Sequence, residues 1–348
     1  MGRVICGDAL QELQKLSSQS VDLVMTSPPY EDCRTYGVDF SLRGQDWVDW
    51  LVPIIKESLR VCRGLVAFVV EGKTRHFSWS GTPALLMADL LRAGITLRKP
   101  PIYERDGIPG SGGPDWWKNR YEFIVCATNG ERLPWSDNTA CGHPPKYGCF
   151  GGQVPHGYSG GDVNNVLSRR AGGPFSNRSK DGKRTHREQK AYELANPGNV
   201  IDCGAVGGGK LGSNLAHENE APFPEKLVEP FILSFCPPAY CHVCGCVSEY
   251  HNGRAVGQSS REFVRDVGKC TQSTSQGATT CSKCGAVAVY PGTVLDPFCG
   301  SGTTAAVAEK HGRNWISIDI RPSQIELLNR RLREVRKIPP MPIVKREE

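Results

Sequence analysis

Residues 26–30, Thr-Ser-Pro-Pro-Tyr, combine hydroxyls, two prolines and an aromatic ring directly after the apolar run Val21–Met25. Proline fixes φ and cannot donate to a sheet ladder, so the pattern indicates a buried strand that ends in a rigid loop. Hydroxyl and carbonyl oxygens can accept hydrogen bonds from an exocyclic amine while a tyrosine stacks on the ring that carries it. The loop therefore suits an amino-bearing nucleobase, although an ordinary strand-to-turn junction explains a lone Pro-Pro-Tyr equally well.

A second chemically suggestive segment, residues 296–304, lies near the other end of the chain and reads Asp-Pro-Phe-Cys-Gly-Ser-Gly-Thr-Thr. Gly300 and Gly302 allow a sharp turn and a close backbone approach to a ligand, and the helix that follows directs its N-terminus at the site. The spacing is neither Gly-x-Gly-x-x-Gly nor a P-loop, which disfavours dinucleotides and nucleoside triphosphates. Asp319, at the end of the next predicted strand, is placed to accept hydrogen bonds from ribose hydroxyls. An adenosine-containing ligand without a pyrophosphate fits.

Four segments, in this order, resemble the motifs of S-adenosylmethionine-dependent DNA amino-methyltransferases of the permuted (beta) class, in which the catalytic tetrapeptide precedes the cofactor loop. They are Cys6-Gly7-Asp8, Ser27–Tyr30, His217 with Ala221–Leu227, and Asp296–Thr304 with Asp319. The resemblance covers about residues 1–130 and 197–335, apart from a cysteine-rich insert. It implies a catalytic role for Ser27, Pro28, Pro29 and Tyr30. It implies cofactor binding by Asp8, Thr26, Phe223, Asp296, Pro297, Phe298, Gly300, Ser301, Gly302, Thr303 and Asp319.

The same resemblance implies a mechanism and a target base. The Ser27 hydroxyl and the Pro28 carbonyl would draw out the lone pair of the amine while Tyr30 stacks on the flipped base, so that positioning and electrostatics supply most of the catalysis. The chain contains no Pro-Cys dipeptide, which a cytosine-C5 enzyme would need for its nucleophile. A serine at the start of the tetrapeptide resembles cytosine-N4 enzymes, whereas aspartate or asparagine is usual in adenine-N6 enzymes. We expect cytosine N4, with adenine N6 as the alternative.

The elements that must position these residues alternate between strands and helices, the pattern of a mostly parallel α/β domain. Strands are predicted at 64–70, 95–103 and 121–126, helices at 83–93 and 322–337, and the tryptophans of the amphipathic run 47–59 are assigned to the core. We expect a doubly wound, Rossmann-like methyltransferase sheet with a circularly permuted motif order, built from both ends of the chain. The predicted segments are a catalytic half 1–130, a target-recognition insert 131–198, a closing segment 199–235, a zinc-binding insert 236–290, a cofactor half 291–338 and a tail 339–348.

The target-recognition insert is rich in Gly, Pro, Asn and Ser and carries an excess of basic residues. Its position matches the target-recognition region of the family, so its basic side chains are expected to neutralise DNA phosphates and to make binding salt-dependent. A solvated loop is the alternative interpretation. The predicted DNA contacts are Arg169, Arg170, Arg178, Lys183, Arg184 and Arg187.

The 236–290 insert carries two Cys-x-x-Cys-Gly segments, which contribute Cys241, Cys244, Cys281 and Cys284. Four thiolates in two such turns predict a tetrahedral structural zinc site in a zinc-ribbon-like fold, in preference to a redox-active pair. Neighbouring cysteines at 236, 246 and 270 are alternative ligands. Contact with DNA and a purely stabilising role for the insert are weighted equally.

Composition limits the remaining function classes. The chain has 348 residues, 39% of them hydrophobic, with 15 cysteines and a formal net charge of +6. It has no apolar run near 18 residues and no signal-like N-terminus, so we expect a soluble cytoplasmic protein with no membrane partner and with cysteines as thiols or metal ligands. The expected partner is double-stranded DNA; a cognate restriction endonuclease and the oligomeric state are left open. The alternative from another class is a noncatalytic zinc-containing DNA-binding protein. Such a protein would be expected to carry broken methyltransferase motifs, whereas the motifs of this chain are intact. RNA or a protein amide is a further alternative substrate.

Overall fold

The computed structural model describes residues 2–32, 40–106, 112–130, 132–143, 196–204, 223–241, 243, 250–251, 254–255, 272–273, 279–280, 284 and 289–337. The chain divides into a large unit, residues 1–140 and 198–348, and a small unit, residues 141–197. Only the two ends of the small unit lie within the described residues.

The strands, in chain order, are β1 (Gly2–Cys6), β2 (Val21–Thr26), β3 (Cys62–Val70), β4 (Thr74–Arg75), β5 (Ser78–Trp79), β6 (Thr96–Leu97), β7 (Ile102–Glu104), β8 (Tyr121–Thr128), β9 (Val200–Asp202), β10 (Tyr240–Cys241), β11 (Tyr250–His251), β12 (Arg254–Ala255), β13 (Gln272–Ser273), β14 (Thr279–Thr280), β15 (Val289–Tyr290), β16 (Thr293–Asp296) and β17 (Asn314–Asp319). The helices are α1 (Ala9–Lys15), α2 (Gly44–Val61), α3 (Thr82–Arg92), α4 (Glu225–Phe235), α5 (Thr303–Lys310) and α6 (Pro322–Lys337).

One mixed sheet organises the large unit. Its strand order is β1-β17-β16-β2-β3-β8-β7-β9, and β6 also pairs with β8. The first five strands in this order, β1, β17, β16, β2 and β3, are parallel to one another, whereas β8 is antiparallel to β3. Val294 of β16 pairs with Leu23 of β2, so the two ends of the chain meet in the middle of the sheet. This adjacency places the ends of β2 and β16 side by side, because the carboxyl ends of parallel strands share one edge.

Helices cover both faces of the sheet. Side chains alternate along a strand, so Leu23 and Met25 of β2 pack on one face with α4, α5 and α6, whereas Val24 packs on the other with α1, α2 and α3. Trp47 is fully buried in the second layer, which confirms its assignment to the core. Burial on both faces explains why the sequences of β2 and β3 are almost continuously apolar.

The predicted strand over residues 95–103 is wrong as a single element. The structure has two short strands there, Thr96–Leu97 and Ile102–Glu104, each paired with a different part of β8. Pro100 and Pro101 separate them, because a proline cannot donate a hydrogen bond to the ladder. The other predicted strands and the two predicted helices are confirmed within two residues.

The described residues of the 236–290 insert form three small antiparallel pairs, β10 with β15, β11 with β12, and β13 with β14. The start of the insert is fixed to the large sheet, because Gly292 N donates to the Pro237 carbonyl and Arg313 Nε donates to the Cys236 carbonyl at 3.2 Å. Across the part of the chain that the structure describes, no helix combines the length and apolar character needed to cross a bilayer.

Candidate active site

The loops that follow β2 and β16 are joined directly. The hydroxyl of Thr26 donates to Asp296 Oδ1 at 2.6 Å, and the Thr304 hydroxyl donates to the Met25 carbonyl at 3.2 Å. Thr26 and Asp296 are both buried. The predicted catalytic loop and the predicted cofactor loop, 270 residues apart in sequence, therefore form one site.

The catalytic loop is held by side chains from two other elements. The indole N–H of Trp47 donates to the Pro29 carbonyl at 2.9 Å, and the Tyr30 hydroxyl donates to Glu122 Oε2 at 2.5 Å. Pro28 is buried, whereas Ser27, Pro29 and Tyr30 are partly exposed. Within the described residues, the Ser27 hydroxyl has no hydrogen-bond partner, so it is available to a ligand.

Glu122 is a functional candidate that sequence reasoning missed. It lies near the start of β8, is almost completely buried, and forms an ion pair with Arg105. Burial raises the pKa of Glu122, while the Arg105 charge and the hydrogen bond from Tyr30 act in the opposite direction. A carboxylate buried with one cation and one hydroxyl donor is a fixed anchor for the tyrosine.

Glu71, the residue after β3, is a second acidic group at this edge of the sheet. Burial, followed by the neighbouring charge of Glu122, raises the pKa of Glu71 to about 7. Its Oε2 atom is buried and has no hydrogen-bond partner among the described residues. A carboxyl group that exchanges its proton near neutral pH is suited to acid–base work.

The glycine turn of the cofactor loop has the predicted conformation. Gly300 and Gly302 have φ values of 48° and 78°, in the region that favours glycine. A Cβ atom on Gly302 would lie 2.6 Å from Cγ of Leu328, so any other residue here would force the Leu328 side chain of α6 to move. The Gly300 N–H donates to Asp319 Oδ2 at 2.9 Å, and the Arg321 N–H donates to Asp319 Oδ1 at 2.9 Å. Asp319 thus fixes the turn, and its Oδ2 keeps a lone pair for a ligand, whereas Oδ1 also forms an ion pair with Arg321 at 3.8 Å.

Asp296 has an unsatisfied oxygen at the centre of the site. Its Oδ1 accepts from the Thr26 hydroxyl and from the Phe298 N–H, but Oδ2 is buried without a partner among the described residues. Burial raises the pKa of Asp296 to about 6. A buried acceptor that lacks a donor is costly unless a ligand supplies one. The ammonium group of S-adenosylmethionine is such a donor, so the residues present fit this cofactor.

The other predicted cofactor residues surround these two carboxylates. Asp8 caps α1 by accepting from the Gln11 N–H at 3.0 Å, and the adjacent Gly7 N–H donates to the Asp319 carbonyl. Pro297 is buried, and the ring of Phe298 lies 5.7 Å from that of Trp50. The Phe223 carbonyl accepts from the Thr303 hydroxyl at 3.3 Å, which brings the segment before α4 to the cofactor loop.

A buried arginine beneath this loop was also missed. Arg331 of α6 is fully buried and donates to the Thr303 hydroxyl at 2.8 Å and to the Ser301 hydroxyl at 3.4 Å. It forms an ion pair with Glu225 of α4 at 3.0 Å. Burial lowers the pKa of Arg331. Its position three residues after Leu328, on the apolar stripe of α6, was the available signal in the sequence.

Two of the four predicted zinc ligands lie within the described residues. Cys241 of β10 and Cys284 have their sulfur atoms 3.6 Å apart. This separation is too long for a disulfide bond and matches two thiolates of a tetrahedral zinc site, which are roughly 3.7 Å apart for zinc–sulfur bonds of about 2.3 Å. Cys244 and Cys281 lie outside the described residues, within which no group of three metal-binding side chains is found. The predicted DNA contacts Arg169, Arg170, Arg178, Lys183, Arg184 and Arg187 also lie outside them.

Comparison with known proteins points to one class of enzyme. A family of N6/N4 methyltransferases, described as DNA methylase, matches residues 283–330, which contain the cofactor loop and Asp319. The orphan methyltransferase M.BamHII of Bacillus amyloliquefaciens is 25% identical over 327 residues, 92% of this chain and 91% of that protein. The type II methyltransferase M.PvuII of Proteus hauseri is 22% identical over 334 residues, 93% of this chain and 81% of that protein.

Two further similarities concern the target base and the fold. The DNA adenine methyltransferase YhdJ of Escherichia coli strain K12 is 38% identical over 74 residues, 21% of this chain and 25% of that protein. The solved structure of the cytosine-N4-specific PvuII DNA methyltransferase superposes with a TM-score of 0.55 at 18% identity, covering 97% of this chain and 90% of that one. The chain therefore has the α/β fold of a DNA methyltransferase, and its relatives include enzymes named for cytosine and for adenine.

Proposed function

We propose that this protein is an S-adenosylmethionine-dependent DNA methyltransferase that methylates the N4 amine of a flipped cytosine. The observation that carries the proposal is the hydrogen bond between Thr26 and Asp296, which unites the amine-binding loop with the cofactor loop. The full-length similarity to M.BamHII and M.PvuII supports the reaction class. The alternatives are adenine N6, favoured by the YhdJ similarity, and a noncatalytic zinc-containing DNA-binding protein.

S-adenosylmethionine, when bound, supplies an electrophilic methyl group on a sulfonium. Asp296 and Asp319 would hold its polar groups, because one has a buried unsatisfied oxygen and the other has remaining acceptor capacity. The glycine turn leaves room for a close backbone approach. The N-terminal half of the chain contributes Asp8 beside Asp319, and the segment before α4 contributes Phe223.

The catalytic loop prepares the amine. Its lone pair is delocalised into the base, so acceptors at Ser27 and Pro28 would draw the nitrogen out of conjugation. Tyr30, fixed at its hydroxyl by Glu122, would present its ring to the face of the base. Because Trp47 and Glu122 hold the loop before the substrate arrives, little reorganisation is needed during the reaction.

Methylation makes the amine nitrogen cationic, so it must lose a proton. We assign the proton acceptor to Glu71, which lies at the same sheet edge beside Glu122 and has a buried oxygen without a hydrogen-bond partner among the described residues. Its pKa of about 7 leaves enough carboxylate at neutral pH for this role. Ser27 is the basis for preferring cytosine, since the other residues of the site suit either amine.

The remaining assignments complete the proposal. The order of the motifs supports membership of the permuted class, since β2 precedes β16 in sequence and neighbours it in space. Cys241 and Cys284, with Cys244 and Cys281, would hold a structural zinc ion in a ribbon-like insert. Residues 131–198 would recognise double-stranded DNA, in a cytoplasmic enzyme of a restriction-modification system.

The experiment that tests the class is transfer of a labelled methyl group from S-adenosylmethionine to unmethylated duplex DNA, with RNA as competitor. Transfer by the wild-type protein, and loss of transfer with retained cofactor binding in Tyr30→Ala, support the proposal. Cofactor binding without transfer to DNA would overturn it.

A further inference from the structure

Two surface segments border the catalytic loop, and together we call them the rim: Gly72–Ser80, which contains the β4–β5 hairpin, and Gly112–Arg120, which leads into β8. The first follows the carboxyl end of β3 and the second precedes its antiparallel partner, with Val70 paired to Phe123. Both segments therefore lie at the same sheet edge as Tyr30.

The rim is bonded to the end of the catalytic loop. The Lys73 N–H donates to Glu31 Oε1 at 2.7 Å, and Lys73 Nζ donates to the Asp32 carbonyl at 3.2 Å. Arg75 forms an ion pair with the buried Asp32 carboxylate. These contacts start one residue after Tyr30, so the position of the rim is coupled to that of the catalytic loop.

Large aromatic side chains of the rim are exposed to solvent. Trp117 is 96% exposed, Phe77 71% and Trp79 46%. Phe77 and Trp116 pack edge to face with ring centroids 5.4 Å apart, which joins the two segments. An exposed cluster of this kind indicates a binding surface, because burial in the core would otherwise be favoured.

The tip of the hairpin has a strained conformation, which indicates that its residues are retained for function and not for stability. His76 and Phe77 are the two central residues of the turn, with φ values of 48° and 64°. Two-residue hairpin turns with positive φ at both positions strongly prefer Asn-Gly. A bulky residue there is strained, and such strain is typical of functional sites.

Lys118 is the cation of the rim that suits a polyanion, because it is exposed and has no ion pair among the described residues. The other rim cations are paired with carboxylates, Lys73 and Arg75 with Asp32, and Arg120 with Glu104 and Asp106. Basic residues interleaved with exposed aromatic rings are the combination that binds nucleic acid through phosphate contacts and base stacking.

We propose that the rim binds the DNA duplex beside the flipped base, with Trp117 stacking on a base exposed by flipping and Lys118 on a flanking phosphate. This rests on the proposed function and adds the residues that hold the opened duplex. It places DNA contacts on the large unit itself, in addition to those predicted for residues 131–198.

The test compares Trp117→Ala and Trp117→Tyr with Leu91→Ala in steady-state methyl transfer to long unmethylated duplex DNA. Leu91 is a matched control: it is 59% exposed on α3, near the end of β8 where Thr96 pairs with Thr128, away from the rim. Trp117→Ala should raise the KM for DNA roughly 5- to 100-fold, the range of lost base stacking. The KM for S-adenosylmethionine should stay unchanged, and Trp117→Tyr should recover most of the affinity.

A second variant tests the electrostatic part. Lys118→Ala should reduce the slope of log affinity against log salt concentration by about 1, the value of one lost phosphate contact. A KM for DNA in Trp117→Ala equal to that of Leu91→Ala, with an unchanged salt slope in Lys118→Ala, would overturn the rim assignment. Because these outcomes require an active wild-type enzyme, they are distinct from failure of the proposed function, in which the wild type itself transfers no methyl group to DNA.

Discussion

The hydroxyl of Tyr30 donates to Glu122 Oε2 at 2.5 Å, and Glu122 is buried with Arg105 as its ion-pair partner. The tyrosine of the catalytic loop is thereby fixed from a strand that lies 92 residues further along the chain. The orientation of the ring that would contact the target base thus depends on a carboxylate on β8, two strands away from β2 in the same sheet.

This relationship predicts coupled effects of two conservative substitutions. Tyr30→Phe keeps the ring but removes the hydrogen bond, and Glu122→Gln keeps an acceptor but removes the charge. Each should lower the single-turnover rate of methyl transfer roughly 10- to 100-fold, the value of a hydrogen bond to a charged group. The double variant should lose little more than either single one. Additive losses would show that the two residues act separately.

Asp296 should control cofactor affinity through its charge. Asp296→Asn preserves size but offers a weaker acceptor, so the dissociation constant of S-adenosylmethionine should rise roughly tenfold or more in calorimetric titrations. Because burial raises the pKa of Asp296 to about 6, the wild-type carboxylate becomes protonated below that pH and cofactor binding should weaken as the pH falls through 6. Tyr30→Ala, the control, should bind the cofactor normally. An acid limb that persists in Asp296→Asn would contradict this assignment.

Asp319 should be similarly important, because it fixes Gly300 and keeps remaining acceptor capacity. Asp319→Ala should weaken cofactor binding before it alters the chemical step. We expect a raised KM for S-adenosylmethionine in steady-state assays, with methyl transfer recovered at saturating cofactor. A lowered kcat with an unchanged KM would exclude this role.

Glu71 should set the pH dependence of the chemical step. Its pKa of about 7 means that the carboxylate form, the proton acceptor, increases as the pH rises through 7. The single-turnover rate should rise over the same pH range, and Glu71→Gln should abolish this rise. Glu57→Gln, at an ion pair with Arg60 on α2, is the control and should leave the profile unchanged. If the rate of Glu71→Gln still rises with pH as in the wild type, another group accepts the proton.

The same raised pKa has a consequence for stability. Native Glu71 holds its proton at pH values where the unfolded chain has released it, so the free energy of unfolding should fall as the pH rises from about 4.5 to 7. Glu71→Gln removes this cost and should be more stable than the wild type at pH 8 in urea denaturation. Equal stability of the two proteins at pH 8 would argue against a buried ionised carboxylate.

The buried ion pair of Arg331 with Glu225 should contribute more to stability than an exposed ion pair on the same helix. Arg331→Met leaves Glu225 and two hydroxyl groups without their shared donor and should lower the free energy of unfolding by about 3 kcal/mol. Arg336→Met on the same helix removes an exposed ion pair with Glu309 and should cost less than about 1 kcal/mol. Similar losses in both variants would mean that the buried network contributes no more than a surface pair.

The zinc proposal predicts about one zinc ion per chain by elemental analysis. Cys241→Ser should lose the metal, because the remaining thiolates cannot complete a tetrahedral site. Cys6→Ser, at an exposed cysteine in β1, should retain it. If the wild-type protein contains no metal, the 3.6 Å separation of the Cys241 and Cys284 sulfur atoms is only a contact between two thiols, and the zinc proposal is wrong.

Local sequence patterns predicted the elements and the two loops of the site because each depends on neighbouring residues. A few consecutive residues are enough to indicate the buried strands β2 and β16 and the glycine turn at 300 and 302. Glu71 and Glu122 were missed because each is a single charged residue beside an apolar run, and Arg331 because it is one of several arginines in a polar helix. The role of each depends on a partner from a distant element.

The central claim is tested most directly by incubating the protein with deuterated-methyl S-adenosylmethionine and unmethylated duplex DNA, then resolving the digested nucleosides by mass spectrometry. The proposed function predicts a deuterated methyl group on the N4 amine of cytosine, absent in Tyr30→Ala. A label on adenine N6 would contradict the choice of base drawn from Ser27. The absence of any labelled nucleoside, with cofactor bound, would contradict the assignment as a DNA methyltransferase.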